Sequence, residues 1–387
     1  MNRTTWQIYG LKKGGGFTST WKTDNLSAGS STSTQIKLPL ESTGTYNFVV
    51  DWGDGTTNTI TTWNQAEVTH TYSAIGTYTV KIEGLILGWR FSRANTDVLK
   101  ILTVTKWGPL RFGNNGGAFQ GCQNVTMSNI TDIPNLTGIT TLADCFSFCN
   151  SISTIGRLNE WVISNITSLY GMFRTQGSSW VGVGLFNQNI GAWDVSKVTN
   201  FGLMFRFCAL FNNGGSPDIQ NWNMSSAINL EAMFSRCNGF NQPIANWERT
   251  TPTVSTLGNV TSMANMFDSG RQAWAFNQPI GNWNVSKVTT MQAMFSRSRF
   301  AQDISDWDVR NVANMTSFGI RLSGSGGIFI PFTSAQLDAM YNKWSLLSPL
   351  KIGVNLNFTQ VSTVAGAAGK AILAGAPNSW IITEGTG

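Results

Sequence analysis

The chain of 387 residues is long enough for two or three domains, and 41% apolar residues can bury sizeable cores. Charged residues reach only 12%, about half the roughly 25% usual in globular proteins; Ser, Thr, Asn and Gly fill the gap. The net charge of +6 is scattered, with no basic run longer than Lys12–Lys13, which argues against nucleic acid as a partner. The lack of an apolar stretch of the ~18 residues a spanning helix needs argues against membrane insertion.

Residues 1–34 read as an irregular attachment arm. GGG at 14–16 and SAGSSTST at 27–34 have the composition of flexible connections, and Trp6, Phe17 and Trp21 are the aromatic residues expected to order on a partner. The opening MNRTTWQIYGLKKGGG has no apolar segment of the secretory-signal kind. A place outside the cell would then require another export system, a trimmed precursor, or release inside a virus particle.

From 35 to 96 the pattern is all-β. YNFVVDWGDGTTNTI alternates and then turns, and EVTHTYSAIGTYTVKIEG reads as two strands around a Gly-containing loop. Asp51, Gly53, Asp54 and Gly55 have turn chemistry, because Asp carboxylates bond nearby backbone N–H groups and Gly takes positive φ. Asp51 and Asp54 are also weak candidates for holding a calcium ion. His70, the only histidine, sits beside Tyr72 and reads as a structural hydrogen-bonding group.

From 97 to 325 one sentence recurs. FNQNIGAWDVSKVTNFGLMF at 186–205 and FNQPIGNWNVSKVTTMQAMF at 276–295 share thirteen of twenty positions. Its tryptophan returns as Trp161, Trp193, Trp222, Trp247, Trp283 and Trp307, and its final phenylalanine as Phe146, Phe173, Phe205, Phe234, Phe267 and Phe295. Units of this size cannot bury their own apolar faces, so like residues should stack into a structural ladder between neighbours. The expected local structure is a short strand at I-x-x-W-D-V and a turn or short helical segment at T-x-M-x-x-M-F. Four of the five cysteines fall at F-x-x-C, which predicts buried thiols.

Segments following M-F are extended at 174–185, 211–217 and 268–275, and they carry Trp180, Arg271 and Trp274 as candidate partner-binding residues. From 326 to 387, Leu337, Met340, Tyr341 and Trp344 line one face of a helix capped by Thr333 or Ser334. KIGVNLNF and SWIIT read as strands on either side of the small-residue helix TVAGAAGKAILAG, and the whole segment as a C-terminal α/β cap.

DWGDGT followed by HTYSAIGTYTV resembles a PKD-type domain, an immunoglobulin-like β-sandwich. The string F-N-Q-P-I-x-x-W-(D/N)-V-S-x-V-T-x-M-x-x-M-F resembles the BspA-type leucine-rich repeat family of bacterial surface proteins, similar chains of which occur in phage. Together these imply a mainly β protein: a PKD-like β-sandwich over 35–96, a leucine-rich-repeat solenoid over 97–325 and the α/β cap. They also imply a non-enzymatic structural and adhesion role. Combined with the chain's opening residues, the first expectation is a phage virion component, decoration or tail/fibre-associated, at the virion surface. Its arm would hold a capsid or tail protein, and its solenoid loops a host surface protein or glycan. The alternative is a bacterial cell-surface adhesin exported by a non-classical route. A carbohydrate-active enzyme is a third reading, without support from the residues. One histidine leaves only His70 for any Ser-His-Asp or Cys-His arrangement, no phosphate loop or zinc spacing is present, and no cofactor is expected. Asp194, Glu248 and Asp308 share their position after the tryptophan with Asn223 and Asn284, which is turn chemistry rather than an acid pair.

Overall fold

In the computed structural model, which describes residues 15–91, 96–177, 184–248, 257–270, 276–320 and 331–385, apolar–polar alternation between Phe17 and Trp89 builds a β-sheet. It belongs to the first of two units, Met1–Ile166 and Thr167–Gly387. The strands are β1 (Phe17–Lys22), β2 (Gln35–Lys37), β3 (Leu40–Asp51), β4 (Thr57–Ile60), β5 (Thr69–Thr71), β6 (Thr77–Trp89), β7 (Ile101–Lys106) and β8 (Leu110–Arg111). Six of them form one sheet in the order β4-β3-β6-β1-β7, with β8 paired to β6, while β2 and β5 form a separate two-stranded ribbon.

Strand β1 is interior to this sheet. Phe17 to Lys22 pair antiparallel with Ile82 to Thr77, and the other edge pairs with β7. Every second residue points inward: Phe17, Ser19 and Trp21 are fully buried. Phe17 packs edge-on against Trp89 at 5.1 Å, and the Trp21 indole N–H donates to Ser19 Oγ at 2.8 Å. The attachment-arm expectation is therefore corrected: Phe17 and Trp21 are core residues of a central strand and are not free to order on a partner. The expected flexible connection at 27–34 is corrected too. Lys100 and Asp97 are buried, 3.7 Å apart, and both grip this segment. The Lys100 ammonium donates to the carbonyls of Ser31, Thr32 and Gln35 at 2.8–3.0 Å and lies 2.7 Å from Ser31 Oγ. Asp97 accepts from the N–H groups of Ser31 and Lys37 at 2.7 and 2.8 Å. A polar Ser/Thr run looks mobile from composition alone, but here its backbone carbonyls solvate a buried cation.

In the second unit the repeats meet through single parallel bridges, Ser168–Asn200–Asn229–Ser262–Thr290–Asn314. These fall at the x of T-x-M, not at I-x-x-W-D-V. Around each bridge alternate residues behave differently. Phe201, Leu203, Phe205 and Phe207 donate their N–H groups to the carbonyls of Asn229, Glu231, Met233 and Ser235 in the next repeat, while Met204, Arg206 and Cys208 donate back to the residue three earlier. Left-handed residues, Leu203 at φ 59° and Phe207 at φ 66°, make this alternation possible, and Ala232, Arg236, Asn265, Ala293 and Arg297 repeat it. The segment is thus neither strand nor helix. At I-x-x-W-D-V the tryptophan N–H folds back to the isoleucine carbonyl, as in Trp193 to Ile190 and Trp283 to Ile280, so the expected strand is a turn.

The expected fold class is corrected on this evidence. The chain is mainly β, but the large sheet with its ribbon replaces the PKD-like sandwich over 35–96, drawing strands from both sides of those limits. No leucine-rich-repeat solenoid is shown: the described repeats share bridges one residue long, and files of Phe and Trp run through cores that also hold Met, Ile, Val and Leu. The unit ends with β9 (Met315–Gly319), helix α1 (Ser334–Trp344), β10 (Asn355–Phe358), helix α2 (Ala367–Ala374) and β11 (Ile381–Thr383). The three strands make a parallel sheet ordered β11-β10-β9. Thr333 caps α1, its side chain accepting from Gln336 N–H while the Gln336 side chain accepts from Thr333 N–H.

Candidate functional site

The DWGDG turn joins β3 to β4. Asp51 Oδ1 accepts from Gly53 N–H at 2.9 Å, and Asp54 Oδ1 accepts from the N–H and hydroxyl of Thr56 at 3.0 and 2.6 Å. Gly53 has φ +82°, and a Cβ there would lie 2.5 Å from the Thr79 carbonyl, so only glycine fits. The other Asp54 oxygen meets His70 Nε2 at 2.8 Å. The imidazole is stacked on Trp52 at 4.7 Å and held edge-on by Tyr72 at 4.5 Å. Burial pushes the Asp54 carboxyl up, but hydrogen bonds from Thr56 and His70 outweigh it and hold the group at about 2. One oxygen of each carboxylate caps the turn, and the second oxygen of Asp54 meets His70. Among the described residues no three His, Cys, Asp or Glu side chains converge as a metal site would require.

A different part of this unit is open. A cleft of about 580 Å³ lies between the 29–40 segment, the 63–69 loop and the end of β6. Leu38 and Val68 form buried walls, and the Trp63 ring, 45% exposed, stands at the cleft. The loop carrying Trp63 is fixed by Gln65, whose Oε1 accepts from Thr61 N–H at 2.8 Å and whose Nε2 donates to the Thr59 carbonyl at 2.9 Å. The exposed side chains of Lys37 and Arg90 also line it. Asp97 is the one carboxylate among the described lining residues, and its oxygens are committed to Ser31 and to Lys37 N–H. A cleft with an aromatic face, flanking cationic donors and a carboxylate committed to its own wall has the features that hold a ligand.

The repeat residues are positioned for packing. In the first unit Phe146 stacks on Phe119 at 5.9 Å and Trp161 meets Trp107 at 5.6 Å. In the second, Phe173, Phe205, Phe234, Phe267 and Phe295 form a file with ring spacings of 5.7–6.0 Å. Trp193, Trp222, Trp247, Trp283 and Trp307 are buried, and Trp222, Trp247 and Trp283 stack at 6.1 Å. Each indole N–H from Trp222 to Trp307 donates to the isoleucine carbonyl one repeat earlier: Ile190, Ile219, Ile244 and Ile280. A second file, Phe186, Phe211, Phe240, Phe276 and Phe300, interleaves with the first at 3.8–4.2 Å. Sequence reasoning missed it, although Phe186, Phe240 and Phe276, each opening an F-N-Q, were the signal.

Polar residues of the repeat are also spent on neighbours. Asn187, Asn212, Asn241 and Asn277 each offer Oδ1 to the backbone N–H at the same position of the following repeat. Asp194, Asn223, Asn284 and Asp308 each cap the N–H two residues on. All five cysteines are free and buried, and burial pushes their thiols up, away from thiolate chemistry. Trp6, Trp180, Arg271 and Trp274 lie outside the described residues.

Trp63 was not singled out by sequence reasoning either. A tryptophan in the polar run TTWNQ, off any apolar alternation, was the available sign. Comparison with known proteins adds one likeness. No curated protein and no solved structure matches the chain, while residues 140–257 and 254–319 are similar to the family described as "Mycoplasma protein of unknown function, DUF285".

Proposed function

We propose that the protein is a non-enzymatic structural and adhesion protein displayed at a surface, and that its first unit holds a saccharide in the Trp63 cleft. The observation that carries this reading is the cleft: a half-exposed indole face beside Lys37 and Arg90, with its one carboxylate already committed. An indole face packs on the C–H face of a sugar ring while flanking donors take the hydroxyls. The repeats of the second unit are braced internally, since their Asn, Trp and Phe side chains are engaged with adjacent repeats. A bacterial cell surface is favoured over a virion. The virion reading drew on the opening residues and on an aromatic arm, two of whose three residues, Phe17 and Trp21, are core, and the similar family is described from Mycoplasma.

Two measurements test the reading. Purified protein on a printed glycan array should bind a restricted set of saccharides, and Trp63→Ala should weaken that binding at least tenfold without lowering the melting temperature. Binding to no glycan, or equal binding by Trp63→Ala, would remove the assignment. Density-gradient fractionation of source material with mass spectrometry should find the chain in envelope fractions. Recovery with DNA-filled particles would restore the virion, and recovery with soluble cytoplasm would overturn surface display.

A further inference from the structure

The charges around the Trp63 cleft do not balance. Lys37 closes β2, and Arg90 directly follows β6. Backbone bonds fix both at the cleft: Lys37 N–H donates to Asp97 Oδ2 at 2.8 Å, and Arg90 N–H donates to the Pro39 carbonyl at 2.8 Å. Both side chains are exposed and line the cleft. Neither has a carboxylate within ion-pair distance among the described residues.

The acids nearby are spent elsewhere. The Asp97 side chain, in the cleft wall, is fully buried beside the equally buried Lys100 ammonium, so its charge is matched inside the wall. Glu67, on the loop that carries Trp63, accepts from Gln65 Nε2 at 3.1 Å and does not line the cleft. Two cations without counter-charges therefore face one concave space, in a chain only 12% of whose residues are charged. Leu38 and Val68 give that space apolar walls, which focus the field of the two charges into it. An ammonium and a guanidinium bond carboxylate or sulfate oxygens about twice as strongly as a neutral donor bonds a hydroxyl. Beside them stand the half-exposed indole of Trp63 and the exposed amide of Asn64, which can both donate and accept.

We propose that the Trp63 cleft takes an anionic saccharide, one that carries a carboxylate or a sulfate group. This rests on the saccharide reading above and narrows it to a class. The sugar ring packs on Trp63, Asn64 takes ring hydroxyls, and Lys37 and Arg90 hold the acid group. The charged contact sets the selectivity, because the indole face alone accepts a neutral ring as readily as an acidic one. An acidic peptide supplies the charge without the sugar's C–H face, and the test separates it.

The test uses the full chain and probes paired to differ in the acid group: lactose with sialyllactose for a carboxylate, dextran with dextran sulfate for a sulfate. Poly-glutamate is the acidic chain without sugar. By calorimetry, at least one acidic probe should bind roughly tenfold more tightly than its neutral partner and weaken as sodium chloride is raised. The pair that responds tells carboxylate from sulfate; either supports the class. Lys37→Gln and Arg90→Gln should each lower binding of that acidic probe while leaving the neutral partner's affinity and the melting temperature unchanged, and Lys37→Arg should keep the preference. Trp63→Ala should weaken both members of the pair. Equal binding of acidic and neutral partners, or a preference that survives in both glutamine variants, would overturn the anionic class. So would poly-glutamate binding that matches the acidic sugar and ignores Trp63→Ala, since the cleft would then be a plain cationic surface. No binding of either acidic probe would end the proposal as well. In each case neutral glycans still bound on the array would leave the saccharide reading intact, whereas an array blank throughout would end both.

Discussion

In the six-stranded sheet, β3 and β6 pair without a break from Thr45 to Asp51, and backbone groups satisfy one another along the whole ladder. In the repeats, successive copies share one bridge residue each, and the rest of the joint is made by alternate N–H groups, asparagine oxygens and indole N–H groups. The sheet therefore asks mainly for alternation, and it places its demanding chemistry at a few points: the Lys100–Asp97 node, and Gly84 at φ +124°, where a Cβ would lie 2.5 Å from the Asn47 carbonyl. The repeats demand more. A backbone that is neither strand nor helix needs particular side chains at each joint, which is why the same words recur. Specific residues are costly to lose at isolated points in one region and at every rung in the other.

The sharpest way to break the comparison is to remove a strand from the sheet. A chain lacking residues 1–22 loses β1 and with it both the β6 and β7 pairings and the Phe17–Trp21–Trp89 core. The expected outcome is loss of the first unit's cooperative transition in a circular-dichroism melt, while amide protection in Thr167–Gly387 persists in hydrogen exchange. A first unit that still melted cooperatively would mean β1 is dispensable.

Two substitutions then weigh a node against a rung. Lys100→Met leaves Asp97 buried without its cation and three carbonyls without their donor; breaking a buried pair in this way costs about 3–5 kcal/mol. Trp283→Ala removes a fully packed indole, its stack on Trp247 and its bond to the Ile244 carbonyl, a large core truncation of about 3–5 kcal/mol. Urea unfolding followed unit by unit separates the two. Lys100→Met should lower the midpoint of the first unit alone and Trp283→Ala that of the second alone. Asn241→Ala should be milder, about 1 kcal/mol, since the Asn277 N–H it abandons is exposed enough to find water.

These cases also mark how far the sequence could be read. The repeated Trp and Phe were visible because a ladder needs the same residue at the same phase, and the α1 face of Leu337, Met340, Tyr341 and Trp344 was visible because a helix has a fixed period. What was misread depended on partners distant in sequence. Phe17 and Trp21 looked unattached because the strands that bury them lie some sixty to eighty residues on. SAGSSTST looked flexible because Lys100, which orders it, is 69 residues from Ser31. The strand expected at I-x-x-W-D-V failed for another reason: left-handed residues such as Leu203 and Arg236 carry no sequence mark when they are not glycine, so the site of inter-repeat bonding was assigned to the wrong half of the sentence. The Trp63 cleft joins residues from separate segments, and only the fold brings them together.

The smallest effect belongs to the DWGDG turn. Asp54 has its carboxyl held at about 2 in the folded chain, below the ~3.9 of an unfolded aspartate. A depressed carboxylate contributes stability in full above its unfolded value and loses it as pH falls through the folded one, so the contribution fades between about pH 4 and pH 2. The side chain is near the surface, so solvent screens the interaction and the expected difference is a few tenths of a kcal/mol. Asp54→Asn should be slightly less stable than the parent at pH 6 and indistinguishable from it near pH 2, in matched melts of the first unit. A gap that persisted at pH 2 would mean that the turn depends on the shape of Asp54 and not on its charge.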